Sequence, residues 1–137
     1  MAALFILAGG AAGVLLNVAC HVLSKRLVGD GLERELHAPG GIWRPMTDVR
    51  MLYAPFAAPF VSAAALYMAT RALGVSTATP ERAVAAALTL WALGPGHGIV
   101  IDYCSTKMSA SLAAYFLVST AGREALLGYL LARMAPR

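Results

Sequence analysis

Apolar positions run through this chain in long blocks, not in the strict alternation of strands or the narrow stripes of soluble helices. The blocks cover about residues 3–23, 51–72, 82–103 and 109–132. Each is close to the ~20 residues that an α-helix needs to cross hydrocarbon. The pattern predicts an all-α, integral membrane four-helix bundle, with residues 1–137 as a single transmembrane domain. One long polar connection, residues 24–50, lies between the first two blocks.

Local signals refine each block. Gly9 and Gly13 form a Gly-x-x-x-Gly pair, which lets a neighbouring helix come close. In the long connection, Asp30 is expected to cap a short surface helix with Leu32 and Leu36 on one face and Glu33, Arg34 and Glu35 in solvent. Pro39-Gly40-Gly41 should stop it, and Trp43-Arg44-Pro45 reads as an interfacial anchor. Pro55 and Pro59, one turn apart, predict a kink in the second span. Pro55, Pro59, Ala63, Tyr67 and Arg71 fall on one line by fours, expected to face the bundle with Arg71 snorkelling to the surface. Thr79 and Pro80 read as the N-cap and first position of the third helix.

Inside that third block stands Gly94-Pro95-Gly96-His97-Gly98. Proline lacks the backbone donor and crowds the preceding turn, so the sequence predicts a broken helix with carbonyls turned into the bundle. The fourth block carries Ser111, Tyr115, Ser119 and Arg123 by fours, with Thr120, Glu124 and Gly128 beside them. Lipid would not accept that face, so it must look inward or at a partner.

Composition supports the same class. Hydrophobic residues make up 59% and charged residues 13%, against about 25% charged in soluble domains. The net charge of +4 does not point to nucleic acid, because the basic residues flank the apolar blocks. Lys25, Arg26, Arg34, Arg44, Arg50 and Lys107 fall on the first and third connections, whereas Arg71, Arg82, Arg133 and Arg137 fall on the other side. This bias predicts both termini outside, in a bacterial inner (plasma) membrane. No basic stretch precedes the first block and no Ala-x-Ala pattern ends it, so it reads as a retained span.

Candidate chemistry follows from depth. At the rise of an α-helix, His97 lies about 10 Å inside the boundary near Cys104, and Asn17 about 9 Å inside the boundary near Leu23. Arg123 and Glu124 lie roughly 12 Å from the outer end of the last helix. As adjacent helical residues they point about 100° apart, so each is expected to need a partner other than its neighbour. His97, Asn17, Tyr115, Ser119, Arg123, Glu124 and Asp102 form the candidate ligand or ion site. A second candidate set, His21, Cys20, His97, Asp102 and Cys104, has the donor types for a transition metal or haem. It has no Cys-x-x-Cys or His-x-x-x-His spacing, and no other cofactor is indicated. No Ser-His-Asp set, phosphate loop or metalloprotease signature is present, which argues against an enzyme. The expected function is binding or transport of a small solute or ion. The alternative is an accessory or assembly subunit, and a membrane-embedded metal or haem protein comes third. The expected partners are the lipid bilayer and a second copy or a larger membrane complex.

Overall fold

The computed structural model of the chain describes residues 1–36, 49–75 and 77–134. Among these residues the fold is all-helical. Helix α1 is Ala2–Val28, and α2 is the short Gly31–Leu36. Helix α3 is Val49–Ala72, α4 is Pro80–Ser105 and α5 is Ala110–Met134. The expected stop at Pro39-Gly40-Gly41, the anchor at Trp43-Arg44-Pro45 and the side chains of Leu32, Glu33 and Leu36 lie outside what is described.

Helices α1 and α5 are central. α1 packs on α3 and on α5, and α5 packs on α4, while α3 and α4 barely meet. Small residues make these approaches possible. Gly9 faces Ala63 and Leu127, Gly10 lies under the Phe60 ring, and Gly13 faces Pro59 and the Arg123 stem. The Gly9/Gly13 pair therefore serves α3 and α5 at once. One apolar cluster joins Phe5, Ala63, Leu66, Ala87, Leu127 and Leu131. A smaller one joins Met108, Leu112 and Ala113, with Tyr115 and Phe116 against it.

Helix α4 begins as its sequence predicts. Thr79 is the N-cap, its hydroxyl accepting from the Arg82 amide at 3.4 Å, and Pro80 occupies the first helical turn. The expected break at Gly94–Gly98 is absent. The chain stays helical and passes through one π-helical turn, Ala92–Gly96. A wider turn moves the upstream carbonyls away from the Pro95 ring, which accommodates proline without interrupting the helix. Gly96 also serves a different end from the one expected. A Cβ on Gly96 would sit 3.1 Å from the Trp91 ring. Gly96 is thus the seat of that indole, whose Nε1 donates to the Thr120 hydroxyl of α5 at 2.9 Å. Thr120 in turn donates to the Phe116 carbonyl at 2.6 Å.

The short helix is tied to the bundle by a residue expected to be solvated. Glu35 Oε1 accepts from the Ser109 amide at 2.7 Å, and its Oε2 accepts from the Ser109 hydroxyl. Ser109 Oγ also accepts from the Leu112 amide at 3.1 Å, which satisfies one of the free donors at the start of α5.

Candidate functional site: a polar seam between α1, α3 and α5

Helix α3 runs through both prolines. In an α-helix the Pro55 carbonyl would accept from the amide of residue 59, and that residue is also proline. The orphaned carbonyl is met from the neighbouring helix: Asn17 Nδ2 of α1 donates to it at 3.3 Å. The signal was in the sequence, as two prolines four apart facing an asparagine at similar depth. Replacing Asn17 with leucine is expected to cost about 0.5–1.5 kcal/mol, the net worth of a typical hydrogen bond. The loss should shrink in a Pro59→Ala background, where residue 59 regains its amide. Equilibrium unfolding in mixed micelles, run as a double-mutant cycle, measures the difference; equal losses in both backgrounds would refute this role for Asn17.

Level with Gly13, α5 brings in Arg123 and, next to it, Glu124, which are 8% and 7% exposed. They stand near the middle of α5, between its two apolar clusters. The expectation that they cannot pair is corrected. Arg123 Nε and Nη2 both donate to Glu124 Oε1, each at 3.3 Å. The Arg123 stem is long enough to lie along the Gly13 surface and swing its guanidinium sideways, which overcomes the difference in direction between neighbouring Cβ atoms. Only one carboxylate oxygen is used. Glu124 Oε2 and Arg123 Nη1 have no partner among the described residues. No fully buried side-chain nitrogen or oxygen there lacks a partner, so those two atoms are not sealed in.

The rest of the predicted polar face divides along α5. Ser119 is buried, with its hydroxyl donating to the Phe116 carbonyl at 3.4 Å, and Tyr115 is half-buried near Cys20. Gly128 is buried, whereas Ser111 is exposed. His97 and Asp102 are not part of this seam. Both are exposed on α4. The candidate metal ligands are not gathered either: His21 and Cys104 are exposed and Cys20 is half-buried. Among the described residues no three His, Cys, Asp or Glu side chains come close enough to hold a metal ion.

Sequence reasoning missed a buried polar group, Thr70. Its hydroxyl donates to the Leu66 and Tyr67 carbonyls at 2.9 and 3.0 Å, inside its own helix.

The class of protein defined to this point is an all-helical one, with two helices, α1 and α4, long and apolar enough to cross a membrane. No protein family matches the chain, and neither a curated protein nor a solved structure is recognisably similar to it.

Proposed function

We propose that the protein is an integral membrane four-helix bundle that binds a small solute or ion at the Arg123–Glu124 seam, in the service of binding or transport. The observation that carries this reading is the half-used ion pair. Ionisable residues in a membrane interior are costly and are retained mainly where they pair or act. Here they pair through one oxygen, which leaves a carboxylate oxygen and a guanidinium nitrogen to meet a polar or charged solute.

The membrane setting rests on an inverted distribution of side chains. The charges at Arg123 and Glu124 are inside, while Leu15 and Val118 are 71% and 73% exposed. The most apolar stretches of α1 and α4 are only 22% and 11% buried. The core helix of a soluble protein would be mostly buried. The distribution of lysine and arginine favours both termini outside and the residue 24–50 connection in the cytoplasm.

Mass spectrometry of the protein released from mild detergent tests the function. The wild type is expected to carry a small polar solute or ion that the Arg123→Leu/Glu124→Leu variant lacks. An identical bound complement in both would contradict the assignment.

A second reading has its own observation. On α4, Gly94, His97, Gly98, Ile101 and Asp102 share one face by helical spacing. A Cβ added at Gly94 or Gly98 would meet nothing within 4 Å, and His97 and Asp102 are exposed beside them. An open Gly-x-x-x-Gly face carrying polar residues suits another membrane helix better than lipid. This favours a subunit of a homo-oligomer or of a larger membrane complex. The particle mass in detergent separates a self-oligomer from a stoichiometric foreign subunit.

A further inference from the structure

The beginning of α1 and the ends of α3 and α5 border an open-mouthed cavity of about 530 Å³ at the opposite end of the molecule from the α4–α5 turn. That volume lies within the range of small-ligand sites, roughly 300–1,000 Å³. Its inner wall is apolar. Phe5 and Leu131 belong to the core cluster, and Tyr67 and Met134 pack against it. Its rim is polar, formed by Arg71 near the end of α3 and Thr77 in the connection that follows. Among the described residues, the Arg71 guanidinium, the Thr77 hydroxyl and the Tyr67 hydroxyl have no hydrogen-bond or ion-pair partner. Unengaged polar groups at the rim of an apolar wall are the ordinary composition of a ligand site. A cation at the mouth of a hydrocarbon-lined space selects an anion that carries a chain.

We propose that this cavity binds an anionic amphiphile, with its carboxylate or phosphate on Arg71 and Thr77 and its hydrocarbon chain along Phe5, Leu131 and Met134. Arg71 stands at a helix end, the depth at which a basic side chain reaches headgroups and an amphiphile presents its charge. Tyr67 also lines the cavity, its ring packed against Phe5. The site is separate from the Arg123–Glu124 seam and does not rest on it. The occupant comes either from the bilayer, as a phospholipid, or from solution, as a fatty acid.

The test is equilibrium binding of radiolabelled myristate to the whole protein in a non-ionic detergent, with dodecyl phosphate, dodecanol and inorganic phosphate as competitors. Saturable myristate binding is expected, with competition by dodecyl phosphate and at least about tenfold weaker competition by dodecanol and by phosphate alone. Arg71→Gln should weaken myristate binding about tenfold or more, and Arg71→Lys should restore most of it. Arg71 is exposed and has no partner among the described residues, so both variants are expected to elute as the wild type does on size exclusion. Met134→Trp, which fills the floor, should also weaken binding. Lipid extraction of the membrane-purified protein identifies the source: a stoichiometric phospholipid assigns the bilayer, and an empty cavity that takes up myristate assigns a free fatty acid. Non-saturable binding, or equal binding by wild type and Arg71→Gln, would overturn the proposal. Equal competition by dodecanol, or full competition by phosphate alone, would do the same.

Discussion

Replacing Glu124 alone with leucine is expected to destabilise the protein by about 3–5 kcal/mol, because Arg123 is then left charged and unmatched in the interior. Arg123→Leu should cost a comparable amount, leaving a carboxylate with no counter-charge. The double replacement should cost much less than the sum, since apolar residues of similar volume often substitute for a buried pair with little loss. The prediction depends on both groups being buried, and their side chains are only 10% and 9% exposed. It also depends on each being the other's charged partner, and no other ion pair to either is present among the described residues. Folded yield and unfolding in mixed micelles give the three values. A double variant as unstable as the sum of the singles would show that each charge is held by something other than its neighbour.

The second large effect is expected at Gly128. A Cβ there would lie 2.7 Å from the Ala83 carbonyl oxygen and 2.9 Å from the Val84 Cα of α4. Both are backbone atoms in a regular helix, so neither can turn aside as a side chain would. Gly128→Ala should therefore push α4 from α5 and cost roughly 1–3 kcal/mol, against an intrinsic helix gain of about 1 kcal/mol for alanine over glycine. Gly128→Leu should separate the helices and break the Trp91–Thr120 hydrogen bond, visible as a change in indole fluorescence. Gly122 is the control on the same helix. The nearest atom to its added Cβ is Leu16 Cδ2 at 3.9 Å, so Gly122→Ala should be neutral or stabilising. The two alanine variants are expected to move unfolding in opposite directions, and equal shifts would refute the close approach.

Much of the frame was legible because its signals are local. Block lengths placed α1, α3, α4 and α5, and Thr79-Pro80 placed the start of α4. Of the two stripes by fours on α5, Ser119, Arg123, Glu124 and Gly128 are buried, Tyr115 and Thr120 half-buried, and Ser111 exposed. The errors share a physical origin, since each concerns what a group does once a neighbour is available. Proline predicts a lost hydrogen bond, but not whether a π turn absorbs it, as at Pro95, or another helix caps the orphan carbonyl, as at Pro55. Spacing gives the direction of Cβ, but a long arginine stem can redirect its head, so Arg123 reached Glu124. Glu35 and Ser109 are 74 residues apart, and no periodicity announces such a contact. His97 matched Asn17 in depth, but depth says nothing of rotation, and His97 lies exposed on α4.

The central claim is that this bundle keeps the Arg123–Glu124 charges inside and turns apolar side chains toward lipid. Spin labels at positions 15, 61 and 118 test it most directly, in protein reconstituted into liposomes with Cys20 and Cys104 replaced by serine. Leu15, Val61 and Val118 belong to three different helices, and all are strongly exposed. The account predicts that at all three sites collisions with oxygen, which concentrates in hydrocarbon, dominate over collisions with a water-soluble nickel complex. Labels that meet the nickel complex as freely as a solvent-exposed site would contradict it.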